Sequence, residues 1–381
     1  MSENENAIIH VFDKGNYSHH RLATLPLSPP TPLPPSSLRL RTRILGLTTN
    51  NLTYANLGFA LGWWDIYPQP PTTPAPFADR EKYASIAGWG YAEVLESTFP
   101  AVPVGASVYG YLHIGTGSWD LEKDEEKGKG KQGLGWDALL MGLWGTGCNL
   151  STYGFAWEDA VRVHPFGEGQ WSAEDANLDE SAVVVLNAGG KTAMGFAYAL
   201  RHGRPSERQP KSVVGVGSEK SRALIQQCGF YDHVVLNDDA GKAKELVEKE
   251  KPRRVVLVDF GGRPGVMAAF TGALNSTAVP LARVFVGGVT MPATAADLMK
   301  SRGNRGDGVQ VNANALQEKG IELGGAKYFS DFRSAWEKFK ARGAIKGTKL
   351  VWGEGMDAWE KGWDAFCKDE VPATEGRVYK F

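Results

Sequence analysis

The chain has only three cysteines, Cys148, Cys228 and Cys367, and no CxxC spacing. That excludes a disulfide framework and a zinc ribbon, and it points to a reducing, cytoplasmic setting. Net charge is nearly absent, at −1, which removes the electrostatic reason to expect nucleic acid or an anionic membrane surface as a partner. No segment approaches about 18 uninterrupted apolar residues, and the opening MSENENAIIH lacks a basic stretch leading into an apolar run. Neither a membrane span nor a secretory leader is expected. The seven histidines, His10, His19, His20, His113, His164, His202 and His233, show no HxxxH or HExxH spacing, so no metal site is expected. A Ser-His-Asp hydrolase would carry GxSxG, and the nearest stretches, GTGSWD at Gly115 and GVGSEK at Gly215, lack the final glycine.

What is present fills two domains: 381 residues, 42% hydrophobic and 22% charged. The proline run 26–35 reads as a surface crossing between two N-terminal strands, and the mixed-charge run Asp120 to Lys131 as a solvated, mobile loop. Leu38 to Leu47 alternates apolar residues with Arg39, Arg41 and Arg43, the period of a half-buried strand. Further strands are expected at Glu93 to Glu96 and Val108 to Leu112, with little helix before about residue 155. From Ala182 onward VVVL, SVVGVG, RRVVLVDF and LARVFVGGV alternate with helical patterns, which implies a doubly wound parallel sheet. Asp331 to Arg342 reads as helix and Arg377 to Phe381 as a closing strand.

The most informative unit is Ser212 to Asn237. A short valine strand stops at Gly217, Ser218 can cap a helix ending near Gly229, and His233 to Leu236 returns to strand. In a nucleotide-binding sheet the end of the second strand faces the adenosine ribose, and a carboxylate there suits NAD. Here Ser218, Lys220 and Arg222 follow that strand instead, a hydroxyl and two cations that suit the 2′-phosphate of NADPH.

Together these segments resemble the zinc-independent quinone and enoyl reductases of the medium-chain dehydrogenase/reductase superfamily. The likeness is carried by Gly105 to Gly110 (GASVYG), by GSEKSRALIQQCGFYDHVVLND, and by VVLVDFGG and RVFVGG. Within that superfamily NNLTYANLG, GWWDIYP and AGGKTAMG are most similar to a branch labelled a domain of unknown function. The resemblance implies an α/β fold with a GroES-like β-rich substrate domain, residues 1–159 completed by 318–381, and a Rossmann-type nucleotide-binding domain over 160–317. It implies a zinc-independent, NADPH-dependent reductase of an activated C=C or C=O bond in a bulky aromatic or polyketide-like small molecule, of the kind met in secondary metabolism. Homodimers of such reductases pair through an edge strand, and Ala282 to Val289 fits that role.

The phosphate loop departs from the pattern. Gly189 and Gly190 stand where glycines are expected, but Lys191 and Thr192 replace two others, either blocking a pyrophosphate or neutralising it and donating a hydrogen bond. The run GGKT lacks the upstream glycine of a triphosphate loop, with Val185 in its place. For catalysis, Tyr54 is the expected proton donor, Asn51 the group that orients substrate or carboxamide, and His113 a further candidate beside the cleft. Trp63, Trp64 and Tyr153 are the expected aromatic substrate contacts. Asn-Asn also suits a helix cap, and a tyrosine in an apolar helix also suits packing. The stretch His164 to Ser181 offers no long apolar helix to line a cleft. That shortening and the altered loop keep open a non-redox isomerase, cyclase or lyase on the same scaffold, or an NADPH-binding sensor without turnover.

Overall fold

In the computed structural model, which describes residues 6–26, 31–122, 131–287 and 308–381, two sheets of six strands face a common cleft. The N-terminal hairpin is β1 (Ala7–Asp13) and β2 (Asn16–Leu25), extended by the short β4 (Tyr83–Ala84). The β-rich sheet is built on β3 (Ser37–Leu47), β5 (Ala87–Ser97) and β6 (Ser107–His113), with β7 (Ser118–Glu122) also paired to β3. Two late strands complete it, β14 (Lys349–Glu354) and β15 (Glu375–Lys380). The closing strand expected from Arg377 is therefore the seam that returns the C-terminus to the first sheet.

The second sheet is wholly parallel. Its order is β10 (His233–Leu236), β9 (Ser212–Gly217), β8 (Ala182–Leu186), β11 (Val255–Asp259), β12 (Leu281–Phe285) and β13 (Val309–Gln310). Order reverses at β8, which is where doubly wound sheets place a ligand. Successive residues of β8 serve opposite cores: Val183 and Val185 pack on one face, Val184 and Leu186 on the other. Burial on both sides is why these strands are unbroken apolar runs rather than alternating ones. The expected edge segment from Ala282 meets β13 at Val284 and Phe285, so β12 is not the outermost strand there, and Val289 lies outside the described residues.

Helix α1 (Thr49–Leu61) follows β3 at the cleft. Helical turns then run over residues 131–154 (α2), with π-type turns at Asp137–Met141 and Leu150–Gly154. This corrects two expectations. The first half of the chain does hold a long helix, and the cleft has one along it even though 164–181 supplies only the turn Ala173–Ala176. Glycine hides the helix in the sequence and packs it in the fold. A Cβ at Gly147 would lie 2.4 Å from the backbone nitrogen of Phe196 in the helix of residues 191–203 (α3), and one at Gly195 would lie 2.8 Å from Trp144 Cα. Backbone cannot yield as a side chain can, so Gly147→Ala is expected to destabilise by about 1–3 kcal/mol, read as a lower urea midpoint with the slope unchanged. An unaltered midpoint would show that the two helices do not meet at this contact.

After β9 comes α4 (Glu219–Cys228), capped by Ser218 and ended by left-handed Gly229, as its sequence announces. Then follow α5 (Ala240–Glu250), α6 (Val266–Asn275), α7 (Ala313–Gly324), α8 (Ala326–Ala341) and α9 (Gly355–Cys367). Helix α8 seats Trp336 and Phe339 against Trp144 and Tyr198, joining both halves through one core. The charge run from Asp120 begins inside β7, where Asp120 takes two hydrogen bonds from Arg39; residues 123–130 of that run and 27–30 of the proline run lie outside the described residues. Among the described residues no helix is long and apolar enough to cross a membrane.

Candidate functional site

A cleft of about 2390 Å³ runs between the C-terminal ends of the parallel strands and the β-rich sheet. At its polar end lies the turn after β8. Asn187 adopts a left-handed conformation (φ 57°), its carbonyl accepts from Gly190 N, and its side-chain amide donates to the carbonyls of Phe260 (3.3 Å) and Gly261 (3.4 Å). Gly190 caps α3 without a side chain, so the free amides of the first helical turn open onto the cleft. Gly189 and Gly217 both close on Ser221, where an added Cβ would come within 2.9 Å and 2.7 Å, which draws the turn after β8 and the helix after β9 together.

Lys191 and Thr192 line the cleft. Among the described residues the Lys191 ammonium has no hydrogen bond or ion pair, and burial lowers its pKa to about 8. A cation at the first turn of a helix, where the dipole already favours negative charge, is costly without an anion beside it. These residues therefore fit an anionic group with oxygen acceptors: the amides receive it, and Lys191 supplies the missing countercharge.

Ser218 and Lys220 line the same end of the cleft. Lys220 Nζ lies 3.0 Å from Asp369 Oδ2, and the Arg263 guanidinium approaches the same oxygen at 3.7 Å. Asp369, held at φ 54° in the segment after α9, thus spans the groove between the turn after β9 and the turn after β11. Arg222 does not join them: it pairs with Glu219 one turn back on its own helix and does not line the cleft.

The other end is aromatic. β5 and β6 pair Trp89 with Tyr111 and Tyr91 with Tyr109, so four rings project from one face at alternate positions. Tyr54 of α1 packs edge-on against Tyr111 (5.1 Å) and Trp63 (4.6 Å), and its hydroxyl accepts from Trp89 Nε1 at 3.1 Å. Burial raises the Tyr54 phenol to about 12, opposed by its hydrogen bonds with Trp89 and Asn50. The floor is a fully buried carboxylate, Asp137, in the first π-type turn of α2. Its Oδ1 accepts from Trp336 Nε1 (2.7 Å) and Lys340 Nζ (2.8 Å), and its Oδ2 from the Tyr91 hydroxyl (2.8 Å).

The structure thus brings Tyr54, Trp63, Gly189, Gly190, Lys191, Thr192, Ser218 and Lys220 to one cleft and leaves five other candidates off it. Asn51 is buried and caps its own helix, accepting from Thr48 N at 2.9 Å; Asn50 faces the cleft instead. His113 packs between Tyr67 and Trp119, and burial lowers it to about 4, so it is neutral and enclosed rather than poised at the cleft. Trp64 lies beneath α1, its indole donating to Ala55 O. Tyr153 stacks behind Tyr328. Sequence reasoning missed Trp89, Tyr91, Tyr109 and Tyr111, although GWGYAE and VYGYLH carry the period-2 signal. It missed Asp137, Lys340, Arg263 and Asp369 for want of any local signal. Among the described residues no group of three His, Cys, Asp or Glu side chains could hold a metal ion.

A parallel sheet with its order reversing at β8, a glycine turn beneath a helix N-terminus and a β-rich domain across the cleft define the fold of the medium-chain enoyl and quinone reductases. Solved structures agree. CurA from Vibrio vulnificus in complex with NADPH is similar at TM-score 0.59 and 12% identity, covering 98% of each chain. A putative NADPH:quinone reductase from Bacillus thuringiensis is similar at TM-score 0.60 and 12% identity over 99% of each chain. The CurF ER cyclopropanase from the curacin A biosynthetic pathway gives 0.61 and 11%, over 98% of this chain and 99% of that one. The chain itself belongs to the family described as Protein of unknown function (DUF2855), whose model matches residues 45–125 and 120–372. No curated protein matches it.

Proposed function

We propose that the protein is a zinc-independent, NADPH-dependent reductase of an activated C=C or C=O bond in a bulky small molecule, working in the cytosol. Residues 160–317 serve as the cofactor-binding unit and the remainder as the substrate-binding unit. The observation that carries this reading is Lys191, without a partner among the described residues, at one end of the cleft that holds the Tyr54 hydroxyl at the other. When bound, NADPH supplies hydride; the chain's own residues bind, orient and protonate. Lys191 and the amides of the α3 first turn hold the pyrophosphate. Ser218 and Lys220 hold the 2′-phosphate, and Arg263 adds a second cation from the opposite bank. Tyr54, its oxygen fixed by Trp89, donates a hydrogen bond to the substrate carbonyl and then its proton to the developing oxyanion or enolate.

Calorimetric titration with NADPH and NADH tests this. NADPH is expected to bind ahead of NADH, and Lys220→Ala to weaken NADPH alone by about 1.5–3 kcal/mol, the range for a charge-assisted hydrogen bond. Asp369→Ala has the opposite sign, because the resident carboxylate competes with the 2′-phosphate for Lys220 and Arg263. Failure of both nucleotides to bind defeats the reductase reading and favours a non-redox enzyme on this scaffold. Binding without hydride transfer to any enone, quinone or ketone favours a sensor.

A further inference from the structure

The hydrogen-bond directions along the aromatic wall are fixed by chemistry. A carboxylate with a lysine ammonium on it can only accept, so the Tyr91 proton points at Asp137 Oδ2 (2.8 Å) and away from the cleft. Tyr109 donates to the main-chain oxygen of Asp137 at 3.3 Å, which commits its proton the same way. Neither phenol has a proton to give; Tyr91 keeps its lone pairs for a ligand, and Tyr109 keeps what a backbone hydrogen bond from Gly142 leaves it. Tyr54 is the reverse case. An indole N–H only donates, so Tyr54 accepts from Trp89, which leaves its own proton for the Asn50 side chain, its other hydrogen-bond partner, or for a ligand in the cleft. The wall therefore offers a donor at Tyr54 and acceptors at Tyr91 and Tyr109. Trp89 and Tyr91 are two residues apart on one strand, about 7 Å, so the ring that fixes the donor and the ring that carries an acceptor are neighbours on one face of the wall.

We propose that the substrate is a planar aromatic carbonyl compound bearing a free phenolic hydroxyl, with the carbonyl at Tyr54 and the hydroxyl donating to Tyr91 and Tyr109. A methyl ether or an unsubstituted ring leaves those acceptors buried and unpaired, which is how a polar site rejects an analogue. An ionised phenolate presents lone pairs to lone pairs and is rejected too. An ammonium is no better matched, since Lys340 already pairs with the carboxylates behind the wall, Asp137 at 2.8 Å and Glu337 at 3.2 Å. The inference deepens the reductase reading and rests on it for the position of the carbonyl, but the acceptor pattern is independent of the cofactor.

The test uses binding alone, without nucleotide, read at pH 7 by tryptophan fluorescence. The probes are 4-hydroxychalcone, 4-methoxychalcone and chalcone. The hydroxyl compound is expected to bind roughly ten-fold more tightly than either of the others, and Tyr91→Phe to reduce that ratio to about two-fold or less. Equal binding of all three, or binding of none, overturns the proposal; so does a ratio untouched by Tyr91→Phe. If that variant fails to fold because Asp137 loses a partner, the ratio in the unaltered protein still decides. A separate NADPH titration shows whether the reductase reading has failed, so the two failures are distinguishable.

Discussion

Tyr54→Phe is expected to lower turnover of an enone or quinone by about 10²–10⁴-fold, the range for loss of a positioned general acid, while NADPH affinity stays unchanged. The phenyl ring keeps its edge contacts with Trp63 and Tyr111, so the loss is chemical rather than structural. Burial sets the phenol at about 12, so the hydroxyl keeps its proton throughout the neutral range and donates it only as negative charge develops on the substrate oxygen. Steady-state assays on both proteins, with unfolding midpoints as a control, check this. A phenylalanine variant with full kcat would remove Tyr54 from the chemistry and leave it a packing residue.

Lys191→Met is expected to weaken NADPH and NADH alike by about 1.5–3 kcal/mol, since pyrophosphate is common to both. The pH dependence follows from its pKa of about 8 in the ligand-free protein. Below that value the ammonium is already formed and binding takes up no proton there. Above it the amine must first be protonated, so affinity falls as pH rises through about 8 and binding becomes coupled to proton uptake. The Met variant should show neither effect. Calorimetry at pH 7 and 9, in two buffers of different ionisation enthalpy, measures the uptake directly. A wild-type affinity flat across that interval, or a Met variant that binds as well, would mean that Lys191 does not meet the pyrophosphate and that the substitution in the glycine loop is a surface change.

The contrast between Lys191 and Lys220 gives the two substitutions different signatures. In the proposed reading Lys191 meets the pyrophosphate common to both nucleotides, whereas Lys220 and Arg263, which meet at Asp369, face the 2′-phosphate that only NADPH carries. The first substitution changes affinity for both nucleotides, the second changes selectivity. All three of these latter side chains are largely exposed, so the Asp369 clasp is a weak contact that a phosphate can displace.

The sequence by itself determined the parallel sheet, the cap and stop of α4, and the cleft positions of Tyr54, Gly189, Lys191, Ser218 and Lys220. These are local matters: β-branched runs buried on both faces, a serine before a helix, a glycine where the chain must turn left-handed. Helix α2 was not legible, because its glycines oppose helix formation by propensity and are explained by what lies against them in the fold, Trp352 at Gly135, Trp89 at Gly142, Phe332 at Gly145 and Phe196 at Gly147. Which candidates reach the cleft was decided by the tertiary structure too. Asn51 and Arg222 satisfy themselves within one helical turn, while Asn50 and Lys220 on the same helices face outward to the ligand space. The polar pattern of the aromatic wall depends most on the fold. The direction of a phenol's hydrogen bond is set by its partner, and for Tyr91 that partner is Asp137, 46 residues away, whose charge is balanced by Lys340 a further 203 residues on. No local pattern can encode that, because the contact exists only once three separate segments pack around one buried carboxylate.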